Sequence, residues 1–113
     1  MARPNFIELP TRDLAASRAF FESVFGMQMT DFGPSYACTL TGDVDVGLQA
    51  DPQESTHAPL PVIAVEDLEA VYAVVTASGA RITKPIFGFP GGRRFQFLDP
   101  GGNELAAMQP DGS

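Results

Sequence analysis

The sequence predicts an α+β fold of two tandem β-α-β-β-β modules, whose curved mixed sheets enclose a cleft and carry their helices outside. Three observations predict it. An Asp-Leu pair opens an apolar helical stripe at Asp13-Leu14 and again at Asp67-Leu68. A glycine closes each stripe, Gly26 thirteen residues after the first Asp and Gly79 twelve residues after the second. Each segment then ends in strand-turn-strand patterning. A repeated order of elements constrains topology more than any single element does. Neither half is long enough to bury both a sheet and a helix alone, so residues 1–113 read as a single domain. It consists of repeat 1 (about 4–50), a linker (about 51–60) and repeat 2 (about 61–110).

Phe6 to Leu9 reads as the first strand, ended by Pro10. Asp13 caps a helix from Leu14 to about Phe25, with Leu14, Phe21, Val24 and Phe25 at helical spacing and Arg18 beside the stripe. Met27 to Phe32 follows as a strand, then Tyr36 to Thr41 and Val44 to Gln49 as a hairpin across Gly42-Asp43. Ala50 to Pro61 is polar and proline-rich and reads as the linker. The order then restarts. Val62 to Val65 is a strand, Asp67 caps a helix carrying Leu68, Val71, Tyr72 and Val75, and Ala80 to Lys84 is a strand. Ile86 to Gly92 reads as a glycine-proline-aromatic loop, either a flap over a pocket or plain loop packing. The closing hairpin runs from Arg94 to Met108 across Asp99-Pro100-Gly101-Gly102-Asn103, where proline and glycine supply the dihedral angles of a tight reversal.

Composition excludes several classes of function. The net charge is −7 with a single lysine, Lys84, which argues against a nucleic-acid partner, since phosphates require a basic footprint. No apolar run approaches the roughly 20 residues of a membrane span. The first five residues lack a secretory apolar stretch, and Cys38 alone rules out an intrachain disulfide, so a cytoplasmic location is expected. Cys38 sits in a strand-like run and reads as a buried apolar thiol rather than a nucleophile. His57, the only histidine, reads as a surface residue of the linker, and one histidine cannot build a histidine-rich metal site within one chain.

The runs Glu8-Leu9-Pro10-Thr11-Arg12-Asp13-Leu14, Ala19-Phe20-Phe21 and Val24-Phe25-Gly26-Met27 carry a family resemblance, as do Val65-Glu66-Asp67-Leu68 and Gly79-Ala80. Gly91-Gly92-Arg93-Arg94-Phe95 and Phe97 to Leu105 complete it. In order and spacing they resemble the vicinal oxygen chelate superfamily of glyoxalases, bleomycin-resistance proteins and extradiol dioxygenases, and its small glyoxalase-like branch most closely. The resemblance implies a divalent metal on the concave face, with one ligand seven residues before each capping Asp. Those positions are Phe6 and Leu60. A third ligand would stand seven residues after Asp99, at Ala106, and a fourth near Leu48 or Gln49. Phe, Leu and Ala offer no N, S or O donor. The expectation is therefore no metal and no cofactor, against the alternative of a displaced divalent metal.

Glu8 shares a strand face with Phe6, and Glu104 stands in the same relation to Ala106. They form an acidic edge to a pocket, or pair with Arg93, Arg94 or solvent. Arg94 shares a face with Gln96 and either clamps an anionic group or is a solvated strand residue. Phe6, Glu8, Gln49, Leu60, Arg94, Glu104 and Ala106 are the candidate ligand-binding residues, and Glu8 is the candidate catalytic group. Two functions stay open, and the sequence does not decide whether the chain is an enzyme. One is a metal-independent protein that sequesters an organic ligand, in the manner of the drug-binding branch and including cationic, antibiotic-like molecules. The other is a glyoxalase-like lyase, isomerase or dioxygenase using a displaced metal or Glu8 as general base. A small-molecule partner and a homodimer are expected, with no membrane partner.

Overall fold

In the computed structural model, which describes residues 2–112, the chain forms two compact units, one running from Phe6 to Leu60 and the other comprising residues 61–112 together with 2–5. The elements are β1 (Arg3–Pro10), α1 (Leu14–Phe25), β2 (Thr30–Asp31), β3 (Tyr36–Cys38), β4 (Asp45–Gln49), β5 (Leu60–Ala64), α2 (Leu68–Ala77), β6 (Ile82–Phe89), β7 (Gly92–Leu98) and β8 (Glu104–Pro110). This is the duplicated β-α-β-β-β order, and the class is α+β.

The pairing repeats as well. Strand order is β2-β3-β4-β1 in the first set and β5-β8-β7-β6 in the second. The first strand of each set lies parallel to the last, β1 to β4 and β5 to β8, and the other ladders are antiparallel. A parallel pair needs a long crossover, and each helix lies within that connection.

Both helices begin as the sequence predicts. The Asp13 carboxylate accepts from Ala16 N–H at 3.0 Å and that of Asp67 from Ala70 N–H at 3.1 Å, each satisfying a donor with no intrahelical partner. Gly26 ends α1 in the left-handed conformation, φ 68°, which glycine adopts without a Cβ clash. α2 has a further tie: Leu68 N–H donates to the Gln109 side chain at 2.9 Å.

One face of each sheet packs on its helix. In the first unit Met29, Ala37 and Leu48 are buried there, with Leu9, Leu14, Phe21 and Val46 against them. In the second, Val65, Leu68, Phe95 and Ala107 are buried, with Ile63, Tyr72 and Phe97 around them. Tyr72 meets Phe95 edge-on at 4.8 Å between ring centroids. Cys38 is a buried free thiol, and burial followed by the charge of Asp45 pushes its pKa up, away from nucleophilic use.

Four sequence expectations need correction. Ile86 to Phe89 is not a loop: β6 runs through it and turns directly into β7 at residues 90–91. Register shifts between Ile82 and Lys84 and between Lys84 and Phe87 absorb Pro85, which cannot donate to a ladder. Only Thr30–Asp31 of the Met27 to Phe32 segment forms a strand, and the following hairpin is shorter than expected, Tyr36–Cys38 with Asp45–Gln49. Asp45 gathers hydrogen bonds from the Thr39 and Thr41 hydroxyls, both at 2.7 Å, and from Thr41 and Gly42 N–H groups, so 39–42 fold as a side-chain-bound turn. Val24 and Phe25, assigned to the packed stripe of α1, are 57% and 61% exposed, because β2 and β3 are too short to support the last turn.

Candidate functional site

The face of each sheet turned away from its helix carries the candidate residues. On β1, Leu9 packs toward α1, so Phe6 and Glu8 point the other way. On β4, Leu48 is in the helix-side core, which places Gln49 on the face of Glu8. Glu8 is 2% exposed, and its Oε1 accepts from the Tyr36 hydroxyl at 3.3 Å. Tyr36 stands on β3 and Glu8 on β1, with β4 between them. The bond forms because β4 presents Gly47 there. A Cβ at that position would lie 2.5 Å from both the Tyr36 hydroxyl and the Phe6 ring. The Gln49 carboxamide on that face bonds to its own chain, its Oε1 accepting from Asp51 N–H at 3.0 Å.

In the second unit Phe95 and Phe97 pack toward α2, so Arg94, Gln96 and Leu98 take the opposite face. The Arg94 guanidinium lies over the rings of Phe87 and Phe89, 5.3 and 5.6 Å from their centroids, a cation–π arrangement. Its Nη2 donates to Gln96 Oε1 at 3.2 Å, and Gln96 Nε2 donates to Glu104 Oε2 at 2.8 Å. The Thr83 hydroxyl donates to the same carboxylate oxygen at 2.7 Å. Arg94, Gln96, Glu104 and Thr83 are thus one hydrogen-bonded series across β7, β8 and β6. Gln96 is 1% exposed, so the carboxamide that links cation to anion is out of solvent. Arg93 is not the partner of Glu104. It points to the helix side and pairs with Glu69 on α2, and its hydrogen bond holds that carboxyl below the usual range.

The structure brings Phe6 and Glu8 together and links Arg94 to Glu104. Leu60 and Ala106 are fully buried, and Ala106 stands opposite Gln96 on one side and Val62 on the other. Tyr36, Gln96 and Thr83 were missed as candidates. The signal for Gln96 was its alternation with Arg94 on β7; Tyr36 and Thr83 depend on pairing register, which local pattern does not show.

Register also relates β4 to β8. Ala106 stands opposite Val62 across β8 and β5, and the residue of the first repeat equivalent to Val62 is Glu8, by the spacing of Asp13 and Asp67. Glu8 stands opposite Gly47. By this register the first-repeat counterpart of Ala106 is Gly47, next to Leu48 and Gln49 on β4.

The duplicated modules and the parallel first and last strands define a protein built on two copies of one β-α-β-β-β module, with polar residues collected on the face opposite each helix. The chain belongs to the Glyoxalase/Bleomycin resistance protein/Dioxygenase superfamily, whose family model matches residues 3–107. It is 29% identical over 117 residues to "Putative glyoxylase CFP32" of Mycobacterium tuberculosis and Mycobacterium bovis, an alignment covering 94% of this chain and 45% of those proteins. The chain thus spans under half the length of the curated relatives it matches. Among solved structures, the methylmalonyl-CoA epimerase of Mycobacterium tuberculosis superposes with a TM-score of 0.75 at 14% identity, covering 96% of this chain and 88% of that one. The Mn(II)-bound glyoxalase of Novosphingobium aromaticivorans superposes at 0.73 with 20% identity, covering 96% and 40%. At these identities the likeness is one of fold.

Whether the positions that the family resemblance assigns to metal ligands suit a metal depends on their donor chemistry. Phe6, Gly47, Leu60 and Ala106 carry no side-chain donor, and divalent metals of this kind require N, S or O ligands. Among the described residues no group of three or more His, Cys, Asp or Glu side chains is placed to hold a metal ion. The residues at the superfamily positions do not fit the group.

Proposed function

We propose that this chain is a small-molecule-binding protein of the superfamily that works without a transition metal, sequestering an organic ligand rather than running metal-dependent lyase or dioxygenase chemistry. The observation that carries this reading is the donor-free set Phe6, Gly47, Leu60 and Ala106. Two polar devices support a binding role. Glu8 held by Tyr36 presents a buried carboxylate, suited to a cationic or hydrogen-bond-donating group. The series Arg94–Gln96–Glu104 sets opposite charges on one face of the β7–β8 ladder beside the Phe87 ring, suited to a ligand with an aromatic or apolar body and polar substituents.

The test is metal content of protein purified without chelator, joined to ligand screening by thermal shift with and without EDTA. Substoichiometric zinc, nickel, iron and manganese, with EDTA-insensitive ligand stabilisation, is the expected result. Stoichiometric metal overturns it.

One observation favours an enzymatic second reading. A buried carboxylate such as Glu8, fixed by a phenol, is the kind of group that abstracts a proton in metal-free base catalysis. Turnover that disappears in Glu8→Gln while ligand affinity persists separates the two. The pairing of two chains belongs to the same proposal. Phe20, Val24 and Phe25 of α1 lie more than half exposed, an apolar surface that a homodimer would cover, and light scattering at micromolar concentration tests it. No described helix is long and apolar enough to cross a membrane. The single buried thiol suits the reducing cytoplasm, where we place the protein.

A further inference from the structure

We infer that the first unit carries a second ligand site, for a small molecule bearing a carboxylate or phosphate group, in the surface cavity where β1 and β4 end. The cavity is about 480 Å³, and Arg12 and His57 line it. None of the candidate residues Phe6, Glu8, Gln49, Leu60, Arg94, Glu104 and Ala106 does, and Glu8, Leu60 and Ala106 are each at most 2% exposed.

The basic groups here differ from Arg18, Arg93 and Arg94 in their partners. The chain has seven Lys and Arg and one His against fourteen acids, so cations are scarce. Arg18 is taken by Asp31 and Glu22, Arg93 by Glu69, and Arg94 by Gln96 and two phenylalanine rings. Among the described residues Arg12, His57 and Arg81 have no such side-chain partner and are exposed, and of these Arg12 and His57 line the cavity. Of the nearby acids, Asp13 caps α1 and Asp51 Oδ1 accepts from Gln53 N–H at 2.9 Å.

The rest of the lining is ordered, although the sequence reads it as linker. Ser55 donates to the Asp51 carbonyl at 2.8 Å, Thr56 to the Ala58 carbonyl at 2.6 Å, and Thr11 N–H to the Gln49 carbonyl at 2.9 Å. The two hydroxyls spend their protons on the main chain, so toward a ligand they can act only as acceptors. Donors at Arg12 and His57 beside acceptors at Ser55 and Thr56 suit an anionic group on a body that itself carries hydroxyl or amine donors. Pro10 and Pro52 supply rigid apolar wall, so little ordering is required on binding. The overall charge of −7 opposes any anion at long range, so the local contacts must provide the affinity, and a dissociation constant on the order of 1 mM is expected for a bare anion.

The experiment is an NMR titration of the full chain, following the His57 ring resonances while inorganic phosphate or acetate is added at constant ionic strength. A saturable shift with either anion is expected, and the anion that gives it names the group. Arg12→Gln should weaken that binding roughly tenfold with the amide spectrum otherwise unchanged, as loss of one charge-assisted contact does. His57→Asn, followed through the Ser55 and Thr56 amides, should do likewise. A shift that stays linear in both titrations, or one equal in Arg12→Gln and the parent chain, overturns the site. Because the titration uses no metal and reads neither Glu8 nor Arg94, its failure leaves the proposed main function standing.

Discussion

Tyr36 reaches Glu8 over a strand that lies between them, and it does so only because residue 47 has no side chain. The hydroxyl-to-carboxylate distance is 3.3 Å, and any Cβ at position 47 would occupy the space of the Tyr36 oxygen and the Phe6 ring. Gly47→Ala should therefore displace both aromatic side chains and break the bond. A loss of about 1–3 kcal/mol in denaturant unfolding is expected, combining overpacking with a weakened buried hydrogen bond. An unchanged midpoint would show that Glu8 does not depend on this contact.

Glu8→Gln keeps an acceptor for the Tyr36 hydroxyl and nearly the same volume. Stability should change by less than about 1.5 kcal/mol, as volume-conserving replacements do. Affinity for a cationic or donor-bearing ligand should fall by roughly tenfold or more, the cost of losing a charge-assisted hydrogen bond. Calorimetry with whatever ligand the thermal-shift screen returns measures this directly.

Gln96→Leu removes the carboxamide that joins Arg94 to Glu104 and leaves a buried polar neighbourhood with fewer partners. A destabilisation of about 1–3 kcal/mol is expected. In a double-mutant cycle with Glu104→Ala the two losses should fall short of additive, since both cut the same series. Strict additivity would show that the series does not act as a unit.

Asp45 organises the turn between β3 and β4. Burial acts to raise its pKa, but hydrogen bonds from Thr41 N–H, the Thr39 and Thr41 hydroxyls and Gly42 N–H outweigh burial and hold the carboxyl below its ordinary 3.8. A depressed folded-state pKa stabilises above the unfolded value, and that contribution disappears as pH falls through the folded one. The parent chain should therefore lose more stability than Asp45→Asn between neutral pH and pH values under 3.8, with the two acid-unfolding curves converging there. Curves that stay parallel would contradict this role.

What the sequence makes legible follows from the range of each interaction. Asp13 and Asp67 bond to amides three residues on, so both helix starts can be read from neighbours alone. Faces alternate strictly along β7, so Arg94 and Gln96 are recognisable as companions. Gly47 is different. Its meaning depends on β3 and β1 flanking β4 in one register, a fact no window of sequence contains. The segment from Ile86 to Phe89 misleads for the opposite reason: Gly88 has a strong local preference for turns, which the ladder with β7 overrides, while Pro90 does sit in the turn that follows. Val24 and Phe25 satisfy helical periodicity perfectly well, but periodicity carries no information about how far the sheet beneath extends.

Strand β6 ends its sheet, and a terminal strand is where extended chains from other molecules can add themselves and begin fibres. Its two register shifts and Pro85 interrupt the row of donors such an intruder would need. At the other end of the strand order, β2 is only two residues long and offers almost no template. The irregularities that make these segments hard to recognise as strands are therefore the same ones that resist amyloid-type growth. A smoother sequence at Pro85, one easier to read, would be more prone to aggregate.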